Sequence, residues 1–311
     1  MSNFSNRCGL RRLLVVLFSV CLAWSQAAGA LESGEVVVAS YNLENYLRME
    51  RRVDGKMVDD APKPEEEISA AIEVIREINP DILGLVEMGD EAMLADLQAR
   101  LKAAGLDYPH KEWVKGADKA RHLALLSRLP IVARNSQDEV PFELNGVRTR
   151  IGRGILDVTV KLAENAQLRL VGAHLKSRRE VPEFDQAAMR AKEAWFLREY
   201  LNKILEANPE EKLMLFGDLN DTKNEYAVKE LMGSAKDPFR MKDLFLTDRY
   251  GYRWTHYWSA ADIYSRIDFM LVSTGLWPEI NMEKSGISSS RIWYKASDHR
   301  AIFSTIKLPA K

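Results

Sequence analysis

Six apolar runs in this chain each border a short stretch of acidic, amide or imidazole side chains, and that repetition constrains the fold more than any other feature. Glu35 to Ala39 leads into Tyr41-Asn42-Leu43-Glu44-Asn45, Asp81 to Val86 into Glu87, and Leu168 to Ala173 into His174-Leu175-Lys176. Leu213 to Phe216 leads into Gly217-Asp218-Leu219-Asn220-Asp221, the run Ser265 to Ser273 contains Asp268, and Ser297-Asp298-His299 precedes the alternating run Ala301 to Ile306. Each run has the length and apolar continuity of a buried strand. A polar group at the end of a buried strand is costly unless something there uses it. Six such places in one chain therefore predict neighbouring strands whose ends converge on one centre.

Helical patterns separate the strands. From Pro64 to Asn79, Ile68, Ala71, Ile72, Ile75 and Ile78 recur at helical spacing behind Glu65 to Glu67, and Pro80 ends the pattern. A second helix is expected from Glu91 to Ala104, and a third from Asp185 to Ala207 with Met189, Trp195, Phe196, Leu201, Ile204 and Leu205 on its apolar face. His122 to Ser127 reads as a strand ended by Pro130, and Gly154 to Leu162 with Gln167 to Ala173 as a hairpin. Helices interrupting pairs of strands place the chain in the α/β class. No internal repeat divides it. Trp254, Tyr257 and Trp258 fit either a core strand or a stacking wall beside the site.

Arg7, Arg11 and Arg12 precede the apolar run Leu13 to Trp24, and small residues ending Ala28-Gly29-Ala30 follow. This is the pattern of a secretory signal peptide over 1–30, leaving one domain over 31–311 that is exported to a periplasmic or extracellular location. The apolar run is too short for a stable membrane anchor, which needs about 20 residues. Loss of the three arginines takes the formal charge from −1 to −4, and loss of Cys8 and Cys21 leaves no cysteine. A disulfide framework and a cysteine-based zinc site are thereby excluded. With 46% apolar and 29% charged residues, the chain is neither disordered nor a strongly basic nucleic-acid coat.

Taken in order, these segments resemble the endonuclease/exonuclease/phosphatase superfamily, the DNase I-like group, in a secreted bacterial-type form. The likeness rests on Tyr41-Asn42-Leu43-Glu44-Asn45, Pro80-Asp81-Ile82-Leu83-Gly84-Leu85-Val86-Glu87, Leu125-Leu126-Ser127-Arg128-Leu129-Pro130 and Gly172-Ala173-His174-Leu175-Lys176-Ser177. Gly217-Asp218-Leu219-Asn220, Arg266-Ile267-Asp268 and Ser297-Asp298-His299 complete the series. The chain departs from many relatives at Arg121-His122-Leu123, where a glycine is usual, and at Glu44, where some have aspartate. The resemblance implies a four-layer sandwich, two mainly antiparallel β-sheets packed face to face and flanked by helices, with the site at one end.

It also implies the chemistry. Glu87 is the expected principal ligand of a divalent metal, with Asn42 and Asp298 completing or orienting the shell and Glu44 at its margin. All-oxygen ligands favour Mg²⁺ or Mn²⁺, as one ion or two. Asp218 is expected to orient or deprotonate the attacking water, Asn220 to bind a phosphate oxygen, and His299, held by Asp268, to act as acid or cation at the phosphate. His174 would be a second phosphate-facing imidazole and Lys176 a phosphate cation. The activity expected is hydrolysis of phosphate esters by a monomer. The first substrate class is DNA or RNA, with Arg148, Arg150, Arg153, Lys176, Arg178 and Arg179 tracking a backbone. A phosphatase or a sphingomyelinase-like lipid-headgroup phosphodiesterase is the alternative, and a catalytically silent binding module of the same fold the third reading.

Overall fold

The first strand explains why the sheets need cover on both faces: Glu35–Tyr46 is buried at most of its positions, on both sides of the pleat. The computed structural model describes residues 34–179 and 185–308, so the expected signal peptide lies outside the described residues. One six-stranded sheet runs, in spatial order, Ile280–Ile287, Ile302–Lys307, Glu35–Tyr46, Ile82–Met88, His122–Ser127 and His110–Val114. The other runs Lys242–Asp243, Asp268–Val272, Leu213–Asp218, Ala166–His174, Leu156–Ala163 and Ile131–Arg134.

Between the sheets lies a core in which Val36, Val38, Ile82, Val86 and Leu125 of the first meet Leu156, Val158, Leu170, Met214 and Phe216 of the second. The outer face of the first sheet is covered by the helices Glu65–Ile78, Glu91–Ala103 and Trp293–Ala296, and that of the second by Gln186–Ala207 and Tyr226–Met232. This is the four-layer sandwich expected. Phe216 fills the space between its two sheets beside a glycine of each. A Cβ added at Gly84 of the first sheet would stand 2.2 Å from the Phe216 ring, and one at Gly172 of the second 2.8 Å. Glycine at both positions gives the ring its space.

Each sheet contains one parallel pair among antiparallel neighbours. Glu35–Tyr46 pairs in parallel with Ile82–Met88 across the helix Glu65–Ile78, and Ala166–His174 with Leu213–Asp218 across Gln186–Ala207. A parallel pair needs such a crossover. Both crossovers bring carboxyl-terminal strand ends to the same edge of the sandwich, with Asn42 and Glu87 on one sheet and His174 and Asp218 on the other. The helix ends follow local chemistry: Asn79 caps Glu65–Ile78 in a left-handed conformation with φ 51°, and the Asp185 side chain accepts from the amides of Ala187 and Ala188.

Two expectations need correction. Trp195 is 38% exposed and Phe196 half-buried, whereas Arg190, Glu193 and Arg198 are buried on the same helix. That helix covers the site loops as well as the sheet, so part of its inner face is polar. The run Ser265 to Ser273 is not one strand. Ile263–Ser265 pairs with His256–Trp258 outside both sheets, and Asp268 opens the strand Asp268–Val272 instead of lying within it. The break falls where the amides of Ile267 and Asp268 both donate to Thr255 Oγ1, at 3.2 and 3.1 Å.

Candidate active site

Backbone shape aims the side chains. Glu44, Asn45, Glu87 and Asn220 all have positive φ, between 47° and 60°, a conformation that non-glycine residues seldom adopt and that costs on the order of 1–3 kcal/mol. The pairing of the first two parallel strands shifts register between Asn42 and Tyr46, and that of Ile82–Met88 with His122–Ser127 between Leu85 and Met88. Bulges of this kind redirect strand-end side chains. Here they turn Asn42, Glu44 and Glu87 toward the second sheet.

Across the gap, buried Asp218, Asp268 and His299 form a chain of charges. His299 Nδ1 lies 2.8 Å from Asp268 Oδ2, and its Nε2 lies 3.8 Å from Asp218 Oδ2 and 3.8 Å from Asp298 Oδ1. Asn42 Nδ2 donates to Asp218 Oδ2 at 3.2 Å and lies 3.4 Å from His299 Nε2, tying the two sheets together. Burial alone would depress the His299 imidazole, but Asp268, Asp218 and Asp298 outweigh it and hold the ring protonated well above its usual value. Burial, reinforced by Asp268 and Glu87, pushes the Asp218 carboxyl up to about 7. The Asn220 amide donates to Asp218 Oδ1 at 2.9 Å, and Asn220 Nδ2 to the carbonyl of Leu175 at 3.0 Å.

His174 differs in state from His299. Its Nε2 stands 3.7 Å from Asp218 Oδ2 and 3.9 Å from Glu87 Oε1, while its buried Nδ1 has no hydrogen-bond partner. Burial, with Arg153, His299 and Arg121 nearby, pushes it well below the usual histidine value, so the ring is neutral at pH 7. The site thus holds one cationic and one neutral imidazole.

A second carboxylate group faces these. Glu44 Oε2 accepts the Asp298 amide at 2.9 Å, Glu87 Oε2 accepts the Asn45 amide at 2.9 Å, and Asp298 Oδ2 lies 3.6 Å from His256 Nε2. Burial and the charge of Asp298 raise the Glu44 carboxyl. Carboxylates that crowd one another in this way, without thiols, form the oxygen-donor set that a hard divalent cation takes. The residues therefore fit the expected metal. Ligand-type atoms of His256, Asp298 and His299, and of Asp218, Asp268 and His299, also lie within 4.8 Å of one another. A protonated imidazole cannot ligate a metal, which makes the second group an ion-pair relay. Asn42 Oδ1 accepts the Glu44 amide at 3.0 Å, so Asn42 orients the carboxylates and turns its nitrogen toward Asp218.

The structure thus gathers Asn42, Glu87, His174, Asp218, Asn220, Asp268, Asp298 and His299 at one edge, and Glu44 belongs with them. Lys176 stands half-buried at the rim. The proposed basic track does not form as a stripe of free cations. Arg150 pairs with Glu139, Arg178 with Glu225 and Asp221, and Arg153 is buried 3.3 Å from Asp118. Nearby acids satisfy these arginines because the hairpin and loops that carry them fold back on the domain. Three functional neighbours were not foreseen. Arg121 lies 3.7 Å from Glu87, Glu193 anchors the Lys176 loop, and the His256 ring packs 4.7 Å from that of His299. The one signal for His256 was a histidine among aromatics in Arg253 to Trp258.

Known proteins share this fold. No curated protein sequence matches the chain significantly, but solved structures do. The human Nocturnin catalytic domain with bound sulfate anion shares 17% identity over 88% of this chain and 94% of its own, with a TM-score of 0.61. Truncated Caenorhabditis elegans TDP2 gives 16% identity over 88% and 97%, TM-score 0.57. Beta toxin from Staphylococcus aureus gives 14% over 86% and 99%, TM-score 0.58. At such identities these likenesses show a shared fold. A profile of the Endonuclease/Exonuclease/phosphatase family matches residues 39–299, a span that contains every site residue from Asn42 to His299. This chain belongs to the endonuclease/exonuclease/phosphatase family and is a phosphoric ester hydrolase.

Proposed function

We propose that this chain is an exported phosphodiesterase that cleaves nucleic acid with the help of Mg²⁺ or Mn²⁺. The observation that carries the reading is the relay Asp268–His299–Asp218, in which a protonated imidazole and a carboxyl near neutrality face the same small volume. Glu87 and Asp298 would hold the metal, with Glu44 beside them and Asn42 orienting the set. When bound, the cation supplies charge neutralisation of the phosphate oxygens and of the leaving alkoxide.

The protein's own residues do the rest. Asp218, pushed up to about 7, suits a general base that takes a proton from the attacking water near neutral pH. His299 donates through Nδ1 to Asp268, which leaves its Nε2 hydrogen free to meet a phosphate oxygen. Asn220 keeps one amide hydrogen for the phosphate after donating the other to Leu175. His174, uncharged, offers a hydrogen bond without repelling the metal, and Lys176 adds positive charge at the rim. Export rests on the Arg7, Arg11, Arg12, Leu13–Trp24 and Ala28-Gly29-Ala30 pattern.

Plasmid DNA, single-stranded DNA, RNA, sphingomyelin, inositol phosphates and bis-p-nitrophenyl phosphate form the substrate panel that tests this reading. His299→Ala and Asp218→Ala are each expected to lower turnover by about 10²- to 10⁴-fold. EDTA should abolish activity, and Mg²⁺ or Mn²⁺ restore it. Full activity in chelator, or near-wild-type turnover by both variants, would overturn the assignment.

A further inference from the structure

An aromatic groove of about 580 Å³ begins one residue away from the reacting centre. Its walls include Tyr250, Tyr252, Trp254, Tyr264, Arg291 and Trp293. The first two tyrosines and Tyr264 are 65%, 61% and 52% exposed, unusual for rings that occupy one surface. The groove's floor is fixed. Trp254 packs edge-on against Tyr264 and Trp293, both at 4.9 Å, and the Arg300 guanidinium lies 4.2 Å from its ring centroid. Arg300 is itself held by Asp248 at 2.8 Å, so the acid at the groove is already neutralised.

The groove is also tied to the catalytic residues. Arg300 follows His299, and its backbone amide donates to the Thr255 carbonyl at 2.6 Å. Trp254 precedes Thr255 and His256, and Trp293 opens the short helix that runs into Ser297-Asp298-His299. Exposed Arg249 and Arg291 line the same groove and make no ion pair among the described residues, although Arg249 lies 4.7 Å from the Tyr250 ring centroid and donates to its hydroxyl. Flat apolar faces, phenolic hydroxyls and guanidinium groups without a carboxylate partner together suit a ligand that is planar, π-faced and anionic. An aliphatic chain would meet tyrosine hydroxyls and arginines along most of this wall.

We propose that this groove is the subsite that stacks a nucleobase adjoining the scissile phosphate, so that the enzyme takes single-stranded in preference to duplex nucleic acid. Bases within a duplex are already stacked on each other and cannot offer their faces to the groove, whereas those of a single strand can. Arg249 and Arg291 then meet the neighbouring phosphates. The inference rests on the nuclease reading above.

The test uses the double variant Tyr250→Ala/Tyr252→Ala, which removes two exposed rings and touches no catalytic group. kcat/KM is measured on a single-stranded oligonucleotide, on the same sequence as a duplex, on a base-free abasic strand of equal length and on bis-p-nitrophenyl phosphate. The wild type should prefer the single strand to the duplex. The variant should lose about 5- to 100-fold on the single strand, mainly through KM, and nothing on the abasic strand. Unchanged cleavage of the single strand by the variant, or an equal loss on the abasic strand, overturns the groove while leaving the nuclease reading intact. A wild type that hydrolyses bis-p-nitrophenyl phosphate but cuts no nucleic acid overturns both.

Discussion

Glu193 hydrogen-bonds backbone and not the reacting side chains among the described residues, yet its fully buried carboxylate spans two loops that define the site. Oε1 accepts the Gly152 amide at 3.1 Å and Oε2 the Lys176 amide at 2.6 Å. Three residues earlier, Arg190 Nε reaches Asp221 Oδ1 at 2.6 Å and its Nη1 the Lys176 carbonyl at 3.2 Å. The helix thereby ties the loop after His174 to the loop after Asp218. In Glu193→Gln one amide must face an NH₂ group, leaving a buried donor unpaired. Urea unfolding should show a loss of about 1–3 kcal/mol, and kcat on bis-p-nitrophenyl phosphate should fall with the fold retained; no change in either would dismiss the clamp. Glu87, Asp218 and His299 were legible in the sequence because acids and imidazoles at the ends of apolar runs stand out against their surroundings. Glu193 was not, because a glutamate in an amphipathic helix has the same spacing whether it meets solvent or a buried amide.

At the level of elements, the packing of sheet on sheet sets how closely the two halves of the site approach. Gly84→Ala would drive a methyl group into the Phe216 ring, which is buried on all sides and cannot swing away. The expected loss is about 1–3 kcal/mol, as for other overpacked cores, read as a lower urea midpoint with unchanged slope; an unaltered midpoint would mean that the sheets part without cost. The helix Glu65–Ile78 and the hairpin Leu156–Ala163 with Ala166–His174 were readable from periodicity and turn residues, which are local. The end of the strand at Asp268 was not. Ser265 to Ser273 reads as one apolar strand holding an aspartate, and the break is set by Thr255, a residue outside that run. Nor does any local pattern distinguish parallel from antiparallel neighbours, so the two crossovers emerge from tertiary structure alone.

Over the whole molecule, the site is a store of electrostatic tension that pH can read. Asp218 is raised from 3.8 to about 7 in the fold, and His299 is raised well above 6.5. Both bind protons more tightly folded than unfolded, so stability is lost as pH rises through the folded values. His174, depressed by burial, has the opposite effect only below 6.5. In EDTA, unfolding free energy should therefore fall as pH rises from 6.5 through the raised His299 value, and His299→Gln should flatten the slope. A rise across that window in the wild type would contradict the charge assignment. The order of strands carries a different consequence. Glu35–Tyr46 sits between Ile82–Met88 and Ile302–Lys307, with Glu35 opposite Lys307, so the segment that delivers Asp298 and His299 reaches the site from the far end of the chain. A ribosome-bound chain that has reached only residue 296 already carries Asn42, Glu87 and Asp218 but lacks the relay's imidazole. Loss of this segment with the last strand would therefore take away the imidazole and leave one side of Glu35–Tyr46 unpaired in the same stroke.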